Sequence, residues 1–528
     1  MESPTRQTPD PEKAPLVQHT APINRLPPEL LSRILTYMVK WNRFGLLQGY
    51  ESWSQALYFC PVCRYWRDVA LSTPRLWSII TLSIDFNRRY PPIILERLLA
   101  HVKRSQNTPI SFKFTINGPH ADPEYLDPYL NALFDEAHRW RSFEFEAPWG
   151  FNSVLMKILE STEGKLVALE SLTIDVKSLE KNMFNFLQHT TPAFHSLTLI
   201  SEDSDFFTCV NLASLSIPFT QITNLHLDNI TTAVLALIEV CPNLVSAHFV
   251  IPALACRRYW LDDVGVRSPK KKAAPYHLSS LTQLTIEVSE SSQKSSDYAF
   301  ADVAIIIHSL KAPALKSFAL TTDAKRFDAR YDMIASKRND EFAATLEGFL
   351  ARSPDLAYLH VDCVPLKDQD LLRVMLVVPH VTELVLREVG KARKANTSDK
   401  SNNVITKTFL DALTMKRKSS ALLPQLRHIR FTFRDFVSIQ KPFQKFIDSR
   451  LGTSSPHPCS TLQSAYIKFT HDGYRAFDWS HLRERQRAGL AIRVFFQWVI
   501  DDDDPYDSND EDKHYDKDEK VFLGYDTE

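Results

Sequence analysis

Pro379-His380-Val381-Thr382-Glu383-Leu384-Val385-Leu386 is a proline followed by apolar side chains in the spacing Φ-x-x-Φ-x-Φ, here Val381, Leu384 and Leu386. The phrase recurs as Pro192 with Phe194, Leu197 and Leu199; Pro242 with Leu244, Ala247 and Phe249; and Pro313 with Leu315, Phe318 and Leu320. It returns as Pro354 with Leu356, Leu359 and Val361, and as Pro424 with Leu426, Ile429 and Phe431. Four more copies lack the proline: Leu169, Leu172 and Ile174; Ile222, Leu225 and Leu227; Leu281, Leu284 and Ile286; and Leu462, Ala465 and Ile467. The last two apolar positions alternate, so they share one face of a short strand, and the earlier one caps the turn leading into it.

Apolar runs of helical length lie between the phrases, at 234–240, 305–310, 346–350 and 371–378. Strand and helix therefore alternate, with a period of roughly 22 to 45 residues. A unit of that size buries too little alone, so neighbours must stack to share a core, with parallel strands on a concave side and helices outside. Phe112 with Phe114, and Phe143 with Phe145, begin the same array. The array is expected to run over 83–500, with polar inserts at 267–276, 289–298, 391–403 and 449–460 forming surface loops. Lys270-Lys271-Lys272 lies in one insert and reads as a solvated loop before it reads as a nuclear-localisation signal.

Composition narrows what such an array does. A formal net charge of -1 gives the chain no general attraction for nucleic acid or anionic membrane, and no segment has the roughly 18 apolar residues needed to span a bilayer. The N-terminal stretch has no apolar core of the signal-peptide type, and 7 cysteines are too few and odd in number for a secreted disulfide framework. A cytoplasmic or nuclear protein with reduced thiols is expected. The arm 1–21 is polar and punctuated by Pro4, Pro9, Pro11 and Pro15, and 501–520 is mostly acidic; both read as disordered.

No catalytic or cofactor chemistry is legible. Cys60-Pro61-Val62-Cys63 has the spacing of half a zinc site, but no second pair follows to complete four ligands. Gly164-Lys165 and Gly390-Lys391 lack the earlier glycine of a phosphate-binding loop, and no histidine is spaced to serve a nucleophile. The chain is expected to be no enzyme and to hold no metal or cofactor. Arg257-Arg258-Tyr259-Trp260 combines residue types that dominate interfaces, although a loop packed on its own repeat is the plainer reading.

Function is most legible near the N-terminus, where Leu26, Leu30, Ile34 and Met38 recur four apart, Leu31 and Leu35 widen the stripe, and Pro27-Pro28 opens the helix. A second apolar-periodic segment includes Leu57, Val62, Trp66, Val69 and Ala70; Ser72-Thr73-Pro74 breaks it before Leu76-Trp77. So small a helical domain, over 22–82, leaves apolar side chains either for a partner groove or for packing on the first repeat.

Leu26-Pro27-Pro28-Glu29-Leu30, Ile34-Leu35 and 62–70 resemble the F-box pattern, and 71–77 is similar to the continuation common among mushroom-forming fungi. The whole resembles a fungal F-box protein with a leucine-rich-repeat body. That resemblance implies a substrate-recruiting subunit of a cullin-RING (SCF-type) ubiquitin ligase, whose F-box inserts apolar side chains into a Skp-type adaptor that holds the cullin and RING subunits. It further implies that Leu26, Pro27, Leu30 and Ile34 contact the adaptor, that Val62 and Trp66 are contacts or core, and that the repeats hold a protein substrate. The link 39–59 is longer than the family's usual one. A repeat scaffold outside any ligase is the alternative, and the sequence does not locate the substrate site.

Overall fold

A computed structural model describes residues 21–41, 55–85, 93–117, 126–147, 152–175, 187, 191–200, 217–228, 234–253, 275–290, 297–322, 337–364, 366–388, 404–415, 422–433, 439–451, 461–469, 480–496 and 520–521. The arm 1–20, the middle of the link 39–59, the Lys270 and Arg257 clusters, most of the inserts and the acidic run 501–519 lie outside these residues. The chain divides into two compact units, Met1–Glu144 with Lys165–Ala168, and Phe145–Gly164 with Leu169–Glu528.

The first unit opens with a 3-10 turn, Pro22–Arg25, and the helix α1, Pro28–Trp41. Proline at the first helical position loses nothing, because that N–H has no intrahelical partner, while the Pro27 carbonyl accepts the N–H groups of Leu30 and Leu31, each at 3.1 Å. The apolar stripe divides along its length. Leu31, Leu35 and Val39 sink into a core with Ala56, Phe59, Val69, Ala70, Leu76 and Trp77, while Leu30, Ile34 and Met38 stay exposed.

The segment read as one apolar period is instead two helices, α2 (Gln55–Phe59) and α3 (Arg64–Leu71), separated by a turn in which Pro61 has no N–H to continue the ladder. Cys63 starts α3 as its cap, its sulfur accepting the Trp66 N–H at 3.5 Å. After the break at Ser72-Thr73-Pro74 comes α4, Pro74–Trp77, whose Trp77 is fully buried and donates from its indole to the Ala70 carbonyl at 2.8 Å. Three strands follow, β1 (Ile79–Asp85), β2 (Ile110–Asn117) and β3 (Trp140–Glu146), with helix α5 (Ile93–Ser105) between the first two. β1 and β2 pair in parallel from Ile79 opposite Ser111 to Asp85 opposite Asn117. Phe112 gathers Phe114, Trp140 and Phe143 about itself at ring distances of 6.0, 5.5 and 5.8 Å. α5 closes over Trp77 with His101, at 4.9 Å, and with the Arg104 guanidinium, at 4.5 Å.

The second unit is the repeat array. Its strands Ser171–Asp175, Ser196–Ile200, Asn224–Asp228, Ser246–Ala253, Gln283–Glu290, Ser317–Thr322, Tyr358–Asp362, Glu383–Arg387, His428–Phe433, Ser464–Phe469 and Ala491–Phe496 each pair in parallel with the next. Lys520–Val521 adds to the last strand in antiparallel fashion. Helices Val234–Val240, Asp297–His308, Lys337–Leu350, Asp368–Val377, Lys407–Leu413 and Gln440–Ser449 fall between strands, as the apolar runs require. The phrase residues are the core: Leu384, Leu386, Leu359, Phe318, Ile429 and Phe431 are fully or almost fully buried. Helices cover that face, with Phe349 set against Phe318 at 5.5 Å and Phe443 and Phe446 against Phe431 at 6.5 and 6.4 Å. The intervening residues of most strands remain partly or fully exposed on the opposite face. The fold is α/β, and its second unit is an irregular leucine-rich-repeat-like stack.

Two local devices lock one repeat to the next. At the start of strand after strand, a single carbonyl of the preceding repeat accepts two consecutive N–H groups: Lys316 from Ala357 and Tyr358, Ala357 from Thr382 and Glu383, Thr382 from Arg427 and His428; at the last strand Gln463 accepts only that of Ala491. Behind the helices, the residue at or just after the helix end is twice an arginine that reaches back. Arg352 bonds the carbonyls of Ile307 and Leu310; Arg450, 2% exposed, bonds those of Leu413, Leu422 and Leu423 at 2.6–3.2 Å. These carbonyls sit at or beyond the end of the preceding helix, where no helical N–H remains for them, so the buried Arg450 fork satisfies three at once, while the half-buried Arg352 reaches two through a single nitrogen.

Candidate interaction surfaces

The surface of the first unit is set by helix period. Leu30, Ile34, Tyr37 and Met38 fall at i, i+4, i+7 and i+8 on α1, and they are 45%, 38%, 68% and 45% exposed. Leu57, Tyr58 and Val62 are also exposed, on α2 and the turn after it. Monomeric proteins seldom leave so many large apolar side chains together in water unless a partner covers them.

Of the residues implicated by sequence, Pro27, Leu30, Ile34 and Val62 are at the surface and Leu26 is half-buried. Trp66 is different. Its ring lies half-buried 6.4 Å from Phe59, and its indole N–H donates to the Asn24 side-chain oxygen at 2.9 Å. One residue earlier, the Tyr65 hydroxyl donates to the Leu26 carbonyl. These two bonds from α3 hold the segment that leads into Pro27, so Trp66 positions the apolar face without being its centre. Tyr37 and Tyr58 are surface residues that the apolar periods of the sequence do not single out, and Leu57, placed in the second period, is exposed as well. Tyr37 was legible as seven residues from Leu30, whereas the short α2 carries too few residues to show a period.

The thiols of the first unit have structural roles. Cys60 donates to the Ala56 carbonyl at 3.6 Å, and burial pushes its pKa up against the opposing pull of Arg104 and Arg67. A redox-active thiol needs the opposite shift. Among the described residues no three His, Cys, Asp or Glu side chains converge as metal ligands, and no helix is long and apolar enough to cross a membrane.

The second unit presents the open face of its sheet, and that face is electrically divided. The strands from Ser171 to Glu290 turn Asp175, Asp228 and Glu287 to it and carry no lysine or arginine. The last three parallel strands carry Arg430, Lys468 and Arg493 and no carboxylate. Between them Glu383 and Arg387 face both ways: Arg430 lies 3.4 Å from Glu383, and Arg387 3.5 Å from Asp362.

Within the acidic half, His226 and His248 occupy one register row and stack with ring centroids 4.3 Å apart. His248 faces Glu287 at 3.6 Å. Burial, and then the neighbouring His248, hold the His226 pKa down to about 4 despite Glu287. Glu287 is held below its usual range, first by its close approach to His248, while burial and the Glu287 charge raise Asp228. This cluster is a pair of stacked imidazoles set among the carboxylates of Asp228 and Glu287.

No protein-family model matches the chain, and no curated protein does. Among solved structures, it is similar to the leucine-rich repeat-containing protein LegL7 from Legionella pneumophila, with 14% identity, a TM-score of 0.34, and coverage of 68% of this chain and 91% of that one. It is also similar to the Rad7 and Elc1 complex in yeast, with 12% identity, a TM-score of 0.34, and coverage of 88% and 92%.

Proposed function

We propose that this chain is a non-enzymatic recruiting subunit of a cullin-RING ubiquitin ligase. In this reading the first unit is an F-box that docks on a Skp-type adaptor, and the repeat array captures a protein substrate. The observation that carries it is the split of α1 into a buried stripe, Leu31, Leu35 and Val39, and an exposed apolar stripe, Leu30, Ile34, Tyr37 and Met38. A helix that only packed on its own domain would turn polar on its outer face. Leu26, Pro27, Leu30, Ile34 and Val62 would then meet the adaptor, with Trp66 holding the Asn24–Leu26 segment in place. The chemistry of ubiquitin transfer belongs to the partners, and this chain contributes proximity: a tethered substrate reacts at an effective concentration far above its free one.

The test is co-purification of the full chain with a Skp-type adaptor, beside an Ile34→Asp, Met38→Asp variant whose thermal unfolding matches the native chain. Loss of the adaptor from the variant alone supports the reading. Failure of the native chain to retain any adaptor would leave a repeat scaffold outside the ligase.

A further inference from the structure

We propose that the cationic end of the open face, built on Arg430, Tyr466, Lys468 and Arg493, docks an extended segment of a partner protein that bears Asp or Glu at every third position. This assigns a ligand chemistry to the repeat array and rests on reading that array as the protein-capturing part of the chain.

Register places the four side chains together. Arg430 pairs with Tyr466 and Tyr466 with Arg493, so they form one row across three adjacent strands, and Lys468 lies two residues beyond Tyr466 on the same face. Arg430 and Arg493 are exposed. Glu383 approaches Arg430 only from the flanking strand, and the Arg430 side chain keeps 61% exposure. Guanidinium forks bind carboxylates through two parallel hydrogen bonds, and a tyrosine between them offers contact area at little entropic cost.

Spacing selects the ligand further. Two inter-strand steps put the backbones of Arg430 and Arg493 about 9–10 Å apart. A polyproline-type segment has three residues per turn and rises about 3.1 Å per residue, so every third side chain returns to one side after about 9 Å. Carboxylates at i and i+3 of such a segment therefore match the two arginines, with the intervening residues over Tyr466. The rest of the face disfavours a long polyanion. Strands carrying Asp175, Asp228 and Glu287 without any cation occupy the same sheet, and a nucleic acid or anionic membrane extending onto them would be repelled.

The experiment is fluorescence anisotropy of the full chain with a labelled proline-rich peptide carrying Glu at every third position, beside its Gln and phosphoserine counterparts. The Glu peptide is expected to bind, to weaken as salt rises, and to bind Arg430→Glu, Arg493→Glu at least about tenfold more weakly, while the Gln peptide does not bind. Should the double variant fail to fold, Arg493→Gln, at an exposed site near the edge of the array, is expected to lower affinity by several fold and takes its place. Equal binding of the Gln peptide, undiminished binding by the variants, or binding of the phosphoserine peptide alone would overturn the proposal. So would binding that appears only after the carboxylates of 501–519 are neutralised, which would assign the face to the chain's own acidic run. Adaptor co-purification with the same full chain reports separately, so a failed ligase reading and a failed acidic-segment reading give different results.

Discussion

Leu30→Ala and Leu31→Ala remove the same atoms from neighbouring positions of one helix, and the structure assigns them opposite consequences. Leu31 is 0% exposed inside a small core, and truncating a buried leucine costs about 2–5 kcal/mol, a large share of what holds any domain together. Leu30 is 45% exposed, so its loss costs folding little. If an adaptor groove covers the part now in water, about half of a leucine's burial energy of roughly 1.5–3 kcal/mol is at stake. That is about 1 kcal/mol, or about a fivefold weaker complex. Thermal unfolding followed by circular dichroism, and calorimetric titration with a Skp-type adaptor at one temperature, separate the two effects. Leu31→Ala should unfold many degrees lower; Leu30→Ala should unfold with the native protein and bind more weakly. An unchanged affinity for Leu30→Ala, or a loss of stability equal to that of Leu31→Ala, would refute the division of α1 into a core stripe and a presented stripe.

Trp66→Phe keeps the ring against Phe59 and removes the bond to Asn24, so it should destabilise the first unit by about 1 kcal/mol, and adding Asn24→Ala should cost little more; a double-mutant cycle of unfolding free energies checks the coupling, and full additivity would deny it. Because the unfolded chain holds the His226 proton up to about pH 6.5 and the folded chain only below about 4, acidification through that window favours unfolding. The native unfolding midpoint should therefore fall between those values more steeply than that of His226→Asn, with Glu287 adding to the fall and Asp228 opposing it; parallel pH profiles would contradict the assignment. Arg450→Met should lower the stability of the second unit by roughly 3 kcal/mol, because the carbonyls of Leu413, Leu422 and Leu423 lose their donor, and Arg450→Lys should recover only part of it, lacking the fork. Denaturant titration decides this, and a fully stable lysine variant would show that charge alone suffices.

The phrase built on Val381, Leu384 and Leu386 made the array legible because a strand's two-residue period and a shared core constrain the same positions in every repeat. The helix runs were legible for the same reason, and 234–240 coincides with Val234–Val240. The division of α1 was not, since Leu30 and Leu31 are chemically identical and only the packing of α2, α3 and α4 decides which one sinks. The break at Pro61 is hidden in the sequence because apolar residues on both sides continue a plausible period. The polarity of the open face was written in alternate strand residues, but charge becomes a surface property only once register aligns Arg430, Tyr466 and Arg493. Trp66 looked like an apolar contact, and its polar edge acquired a purpose only when Asn24 came within reach across the sequence.

The arginines that reach back, Arg352 and Arg450, bear on how the array comes apart. A stack held solely by nearest-neighbour apolar contact frays from its ends, losing one repeat at a time. An arginine set against its predecessor's carbonyls, wholly buried at Arg450 and half-buried at Arg352, makes the loss of either partner strand a desolvated group in the other, which raises the free energy of every state with a boundary at that junction. Partial unfolding should therefore skip these junctions and release blocks of repeats together, so that limited proteolysis yields a few discrete fragments ending elsewhere rather than a ladder with one step per repeat.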